Sequence, residues 1–169
     1  MILGEEVMNE KGMYFATPAL YKLIRDTGGT WNDGKERPIV CLMKSTEHKD
    51  LYWAIPVGNY DHRDDKAKKR IQRFLEQEDS EIASCYYHIG KTTVKSIFFI
   101  SDAIPITEEY IEREYLGYNK KEQYVIKNQP LLEELERKLK RILAFENGIN
   151  NHFRQHITDV KNELLKSLK

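Results

Sequence analysis

The densest group of side chains that could perform chemistry lies between residues 56 and 73. A predicted strand ends there in a Gly58-Asn59 turn, and His62 follows closely. The basic residues around this histidine are Arg63, Lys66, Lys68, Lys69, Arg70 and Arg73. Backbone N–H groups that point outward where a strand meets a helix favour phosphate. The pattern predicts a phosphate-binding site, and the alternative is an exposed, charged helix face.

A histidine among cations suits the cleavage of a phosphodiester without a metal ion. Histidine titrates near neutral pH, so His62 could take a proton from a ribose hydroxyl while the cations stabilise the charge on the phosphorane. Asn59 would position the reacting groups. His88, on a predicted strand near Lys91, is a second candidate for a site histidine.

The polar loop at residues 31–37 is the second candidate segment. It contains Trp31, Lys35 and Arg37 and directly precedes a predicted strand. If that strand pairs with the next one, residues 35–37 lie at the end of the sheet near residue 58. Lys35 or Arg37 could then contact the same phosphate as the Gly58 turn, whereas a simple charged loop is the alternative.

Metal-binding patterns are weak in this sequence. Asp61, Asp64 and Asp65 would share one side of a helix and could hold Mg²⁺, but the lysines and arginines that follow them favour ion pairs instead. His152 and His156 have the i,i+4 spacing of a zinc peptidase helix without its glutamate. We therefore expect neither a metal nor another cofactor.

The elements that must position these residues follow from hydrophobic spacing and turn residues. Predicted strands cover residues 38–43, 51–57, 83–89 and 94–100, and the first two form a hairpin. One short helix is predicted to begin at Pro18. Three further helices are predicted over residues 61–78, 131–145 and 153–168. This order predicts an α+β fold, with a compact antiparallel sheet that closes into a small barrel, inserted helices and a C-terminal helical hairpin.

The charge balance excludes a protein that coats nucleic acid by bulk charge, since 27 Lys and Arg residues face 27 Asp and Glu residues in a chain of 169. The balance is uneven, however: residues 62–73 hold six basic and two acidic side chains, and residues 74–82 hold four acidic and no basic ones. The only two cysteines, Cys41 and Cys85, form no disulfide framework. No apolar stretch approaches the length of about 18 residues that a membrane span needs. These features predict a cytoplasmic protein.

Four short motifs, taken in order, resemble the endoribonuclease toxins of type III toxin–antitoxin systems. They are residues 13–23 (MYFATPALYKL), 37–40 (RPIV), 52–56 (YWAIP) and 100–111 (ISDAIPITEEYI). The family is the ToxN/AbiQ-like one, and the CptIN branch is the most similar. The resemblance implies an SH3-like, MazF-like barrel with helical insertions. It also implies metal-independent RNA cleavage to a cyclic phosphate, and a pseudoknot RNA antitoxin that forms a ring-like assembly with the protein.

The resemblance also implies where the site lies. A Tyr/Lys-bearing loop before the first barrel strand falls on residues 31–37, so Lys35 or Arg37 takes the lysine role and Trp31 stands where tyrosine is expected. A Thr-Ser-x-Lys turn falls on residues 58–61. There Gly58-Asn59 replaces the hydroxyl pair and Asp61 takes the lysine position, so His62 or Lys66 would supply the missing groups and the Gly58 backbone would still donate to phosphate.

We therefore expect residues 1–12 to form a polar tail and residues 13–169 a single endoribonuclease domain. Within it, the barrel core covers about 13–116 and the helical hairpin about 131–168. The predicted catalytic residues are Lys35, Arg37, Asn59 and His62. The predicted RNA-binding residues are Trp31, Gly58, Tyr60, Arg63, Lys66, Lys68, Lys69, Arg70, His88 and Lys91. The alternatives are a non-catalytic RNA-binding module on the same barrel, with tyrosines stacking bases, and a MazF-like toxin with a protein antitoxin.

Overall fold

Residues 8–32 and 36–168 are described by a computed structural model, and this part of the chain forms seven strands and four α-helices. The strands are β1 (Met13–Ala16), β2 (Ile39–Lys44), β3 (Tyr52–Asn59), β4 (Tyr87–Lys91), β5 (Lys95–Phe99), β6 (Ile104–Ile106) and β7 (Ile111–Glu114). The helices are α1 (Pro18–Asp26), α2 (Asp65–Leu75), α3 (Gln129–Gly148) and α4 (Ile157–Ser167). The predicted α+β class is confirmed.

Strand β3 is the centre of an antiparallel sheet with the order β4-β5-β3-β2-β1-β7. One side of β3 pairs with β2 in the predicted hairpin, with Ile39 opposite Pro56. The other side pairs first with β6, where Trp53 lies opposite Pro105, and then with β5, where Gly58 lies opposite Ile97. The change of partner along β3 brings the start of β2 and the end of β5 to the same end of the sheet.

The sheet described here is not closed, so the predicted barrel is not found. Its outer strands β4 and β7 each pair on one side alone within the described residues. Closure requires the first and last strands of a sheet to meet, which depends on tilt and stagger between distant segments. Hydrophobic spacing within single strands carries no information on whether the first and last strands of a sheet meet.

Two separate hydrophobic cores lie on the two faces of the sheet. In β2, Val40 and Leu42 belong to the core under α3, whereas Ile39 and Cys41 belong to the core under α1 and α4. This alternation is expected for a strand that is buried on both faces. The buried residues of α3 are Leu131, Leu132, Leu135, Lys138, Leu139, Ile142 and Glu146.

The two C-terminal helices, which were predicted to form a hairpin, touch at the start of α4 but bury most of their apolar residues in different cores. Helix α3 packs on one face of the sheet, while Val160 and Leu164 of α4 pack with Leu20 and Ile24 of α1 in the other core. Two amphipathic helices in sequence can bury their apolar stripes on each other or on opposite faces of a sheet. The periodicity of each helix is the same in both cases.

Short polar signals set the boundaries of the helices. The Asp64 carboxylate accepts a hydrogen bond from the Ala67 N–H at 2.7 Å, and the Asn128 side chain accepts one from the Leu131 N–H at 3.2 Å. Each is the N-cap of its helix. The predicted helix over residues 61–78 therefore begins later, because a 3-10 turn (Tyr60–His62) and the Asp64 cap come first.

Two further boundaries differ from the prediction. The strand expected at residues 83–89 is a 3-10 turn (Ile82–Cys85) followed by β4, which begins at Tyr87. The described part of the N-terminal segment is not a free tail. The Lys11 N–H donates to the Cys41 carbonyl at 2.7 Å, and Met8 is buried in the α1/α4 core.

The described helices include none with the length and apolar character to cross a membrane.

Candidate nucleic-acid interface

One open cleft brings together residues from the two segments that the sequence identifies. Its volume is about 570 Å³, and among the described residues that line it are Arg37, Arg63, Arg70 and Arg154 around the ring of Phe99. Arg37 precedes β2, and Arg154 precedes α4. Arg63 lies in the turn before α2, and Arg70 lies within α2. We call this feature the arginine cleft.

The floor of the arginine cleft is the Phe99 ring at the end of β5. The Arg37 guanidinium carbon lies 4.9 Å from the centre of this ring, and that of Arg63 lies 5.8 Å from it. Both distances are within the range of a cation–π contact. Tyr87, opposite Phe99 on β4, meets its ring edge-on at 6.1 Å between centroids. Two guanidinium groups therefore share one aromatic platform.

Gly58 makes this arrangement possible. A Cβ atom at residue 58 would lie 3.1 Å from Cε2 of Phe99 and 3.3 Å from Nη2 of Arg63, which is tighter than ordinary packing. Arg63 is held in place by a hydrogen bond that its Nε donates to the Asn59 carbonyl at 3.2 Å. The glycine thus acts as a spacer that lets the ring and the guanidinium approach the β3 backbone.

The predicted proximity of residue 37 and residue 58 is confirmed. The Val57 N–H donates to the Pro38 carbonyl at 2.9 Å, which extends the β2–β3 pairing by one step and fixes Arg37 beside Gly58. Lys35, the other cation predicted for this position, lies outside the described residues.

The charges in the arginine cleft are not balanced. Asp102 pairs in bidentate fashion with Arg154, at 3.1 Å from its Nε and 3.0 Å from its Nη2. Arg37, Arg63 and Arg70 form no ion pair with any carboxylate in residues 8–32 or 36–168. Four cations and one carboxylate among the described lining residues leave a net charge of +3.

Burial is the main cause that lowers the pKa of Arg37, and the charge of Arg63 lowers it further. Asp102 acts in the opposite direction, and Arg154 adds a weaker lowering effect. An arginine stays protonated in spite of such shifts. The smaller part of the shift, which comes from Arg63 and Arg154, reflects repulsion between neighbouring guanidinium groups, and a bound anion would relieve it.

Trp31 lies at one side of the cleft and not at its floor. Its ring stacks on Tyr21 with 5.9 Å between centroids, and the Arg154 guanidinium carbon lies 5.7 Å from its centre. Trp31 thus helps to hold Arg154 and has no hydroxyl group to replace the tyrosine that the family resemblance implies.

Asn59 and His62 lie at the rim of the cleft, next to Arg63. The Asn59 side chain accepts from the Asp61 N–H at 2.9 Å, so it caps the 3-10 turn, and its Nδ2 lies 3.5 Å from Nε2 of His62. His62 is exposed and is not among the side chains that line the cleft. Its predicted acid–base role would require the substrate to reach the rim.

Tyr60 forms a second cationic feature outside the cleft. The ammonium groups of Lys68 and Lys95 lie 5.2 and 4.8 Å from the centre of its ring. The two ammonium groups at the Tyr60 ring can extend the cationic path for a nucleic-acid backbone beyond the arginine cleft.

The other predicted RNA-binding residues are dispersed. Lys66 and Lys69 are exposed on α2, and Lys91 is exposed at the end of β4. His88 faces α3: burial lowers its pKa to about 4, and the charge of Lys138 contributes to this shift. None of these four residues lines the arginine cleft.

Phe99, Arg154 and His152 are among the cleft residues that were not predicted as site residues. Phe99 lies in the Phe98-Phe99 pair, and strand alternation sends one ring into the α3 core and the other to the cleft. Arg154 and His152 come from the loop before α4. His152 lines the cleft, and its ring meets Phe145 and Phe153 edge-on at 4.8 and 5.0 Å.

Metal ligands are sparse in the part of the chain that the structure describes, where no group of three or more His, Cys, Asp or Glu side chains could hold an ion. Comparison with known proteins adds no family: no family model matches the sequence, and no curated protein matches it.

Proposed function

We propose that this protein is an endoribonuclease that cleaves RNA without a metal ion and uses the arginine cleft to bind the scissile phosphate. The observation that carries the proposal is that the guanidinium groups of Arg37 and Arg63 both lie within cation–π distance of Phe99, in a cleft with a net charge of +3. Planar guanidinium groups match the oxygens of a phosphate in bidentate fashion. The aromatic floor orients them and lowers the cost of ordering them.

The same groups suit the transition state of RNA cleavage. The ribose 2′-oxygen attacks phosphorus, the bond to the 5′-oxygen breaks, and the products are a 2′,3′-cyclic phosphate and a 5′-hydroxyl. Arg37 and Arg63 would stabilise the extra negative charge on the phosphorane oxygens. One group must remove the proton from the 2′-hydroxyl and one must protonate the 5′-oxygen. His152 is our first candidate because it lines the cleft, and His62 at its rim is the second.

We further propose that the protein is a type III toxin whose partner is a structured antitoxin RNA in a ring-like assembly. The order of the four motifs supports this proposal, as does the contact between the segments at residues 37 and 58. The SH3-like, MazF-like barrel belongs to the same proposal, as a sheet curled around β3. RNA as substrate and partner would place the protein in the cytoplasm. Tandem repeats upstream of the gene would support an RNA antitoxin, and a small open reading frame there would support the MazF-like alternative.

The direct test is cleavage of RNA by the purified protein in EDTA, with analysis of the product ends. We expect cleavage that EDTA does not abolish, and a cyclic phosphate at the 3′ end of the upstream product. Arg37→Ala should lower the cleavage rate by about 100-fold or more, as expected when a donor to a developing oxyanion is lost.

Arg73→Ala is the matched control, because Arg73 is an exposed arginine of α2 outside the cleft. It should cleave at the rate of the unaltered protein. Cleavage that requires a metal contradicts the mechanism. RNA binding by the arginine cleft without any cleavage would support the non-catalytic RNA-binding module instead.

A further inference from the structure

A second cavity of the protein has a volume of about 400 Å³. The turn after β2, helix α3 and the start of α4 surround it. Its apolar wall includes Trp53, Leu143 and Ile157. Trp53 belongs to the α3 core and is 8% exposed. The volume is within the range of small-molecule sites, which have apolar walls and few polar groups.

Among the polar residues that line this cavity, Glu146 is buried and only 2% exposed. Its Oε2 accepts hydrogen bonds from the Thr158 hydroxyl at 2.7 Å, from the Thr158 N–H at 3.2 Å and from the Asn151 N–H. Its Oε1 is buried and has no donor among the described residues. No described lysine or arginine pairs with the carboxylate. A buried carboxylate oxygen without a donor is unfavourable, so the site lacks a donor that a ligand could provide.

The mouth of the cavity is cationic. Lys44, Lys140 and Lys161 line it. Lys161 pairs with Glu47 at 2.8 Å, whereas Lys140 is exposed and forms no ion pair with the described residues. A ligand for this cavity therefore needs three features: a flat apolar body, an N–H donor at its inner edge and an anionic group at its outer end.

We propose that this cavity binds a guanine nucleotide, with the base against Trp53, its N–H edge donating to Oε1 of Glu146, and its phosphate near Lys140. Guanine carries two adjacent donors on its Watson–Crick edge, N1–H and the 2-amino group, whereas adenine offers one amino group there. A cationic amine would meet repulsion from the lysines at the mouth. A free guanine nucleotide and an unpaired guanosine of RNA carry the same base donors and a phosphate.

This site is separate from the arginine cleft, because no described residue lines both. Its occupancy does not depend on the proposed cleavage.

The test is calorimetric titration of the full chain with GMP, AMP and guanosine. We expect GMP to bind at least about 10-fold more tightly than AMP, because one donor in place of two loses about one hydrogen bond. In a Trp31→Phe background, GMP should quench the fluorescence of Trp53. Two short single-stranded RNAs that differ only in one guanosine or adenosine distinguish the two sources, because both RNAs can also bind the arginine cleft. Equal binding of the two RNAs assigns a free nucleotide, and tighter binding of the guanosine RNA assigns a guanosine within a strand.

Glu146→Gln is the decisive variant. The three protein donors at Oε2 keep the amide oxygen on their side, so the amide NH₂ takes the place of Oε1 and meets the donors of the base. GMP and guanosine should both bind at least about 10-fold more weakly. The control is Glu136→Gln, which lies on the same helix and outside the cavity. It should bind GMP and guanosine with unchanged affinity.

Lys140→Ala keeps the test valid even if the Glu146→Gln protein does not fold. Lys140 is exposed, and its replacement by alanine should weaken the binding of GMP and leave the binding of guanosine unchanged. Absence of GMP binding at millimolar concentration, together with equal binding of the two RNAs, would overturn the proposal. Binding that neither Glu146→Gln nor Lys140→Ala alters would overturn it too.

Discussion

Phe99 is the residue on which the geometry of the arginine cleft depends. It contacts both Arg37 and Arg63, and exposed cation–π contacts are each worth about 0.5–1 kcal/mol. Phe99→Leu removes both contacts and should weaken RNA binding by about 5–30-fold. Fluorescence anisotropy with a labelled RNA measures this. The ring is half-buried, so the melting temperature should fall by a few degrees at most, and unchanged RNA affinity would remove Phe99 from the site.

The two candidate histidines can be separated by single substitutions. His152 lines the cleft and His62 lies at its rim, so His152→Ala should reduce the cleavage rate by about 100-fold, the lower range for general acid–base catalysis. His62→Ala should reduce it by less than about 10-fold, as expected of a residue outside the cleft. Single-turnover rates at saturating enzyme make the comparison independent of RNA affinity. The reverse order of effects would return the acid–base role to His62.

At the residue scale, the sequence predicts cations and turns better than it predicts their partners. Arg37 and Gly58 were identified because a hairpin brings the ends of neighbouring strands together, and Arg63 was identified from the basic cluster that follows them. Phe99 and Arg154 were not, since they reach the cleft through strand alternation and through a loop that follows α3. The position of such residues depends on tertiary packing, which no spacing in the sequence encodes.

At the scale of elements, strand β4 and helix α3 form a pH-dependent contact. His88 of β4 faces Lys138, Arg137 and Glu134 of α3, and burial together with Lys138 lowers its pKa to about 4. In the unfolded chain a histidine has a pKa of about 6.5. Between pH 6.5 and 4 the unfolded state therefore binds more protons, so the free energy of unfolding falls as the pH falls.

Urea denaturation checks this prediction. Between pH 7 and pH 5 the contribution of His88 should fall by at most about 1–2 kcal/mol, because His88 is partly exposed. His88→Gln keeps a polar group at this position and should remove that part of the pH dependence. His48→Gln is the control, since His48 lies in the turn between β2 and β3. An equal pH dependence in the two variants would contradict the assignment to His88.

The same scale shows which elements local patterns predict. The β2–β3 hairpin and helix α3 were expected from turn residues and from a regular leucine stripe, and both are present. The closed barrel was not found, and the C-terminal helices bury most of their apolar residues in different cores. Both outcomes depend on which surfaces meet: β4 and β7 do not pair with each other, and Val160 and Leu164 of α4 are buried with α1, while the start of α4 contacts α3. Amphipathic periodicity specifies that a face is buried and leaves its partner open.

For the whole molecule, zero net charge and nucleic-acid binding are compatible because the charges are segregated. Arg37, Arg63 and Arg70 lack carboxylate partners among the described residues and face one cleft. Three contacts between these arginines and phosphates predict a slope of about −2 for the logarithm of RNA affinity against the logarithm of salt concentration. Arg70→Gln should make the slope shallower by about 0.7, and Arg73→Gln should leave it unchanged. An RNA affinity that does not change with salt would exclude the arginine cleft as the binding site, because contacts between its arginines and phosphates release counterions from the RNA.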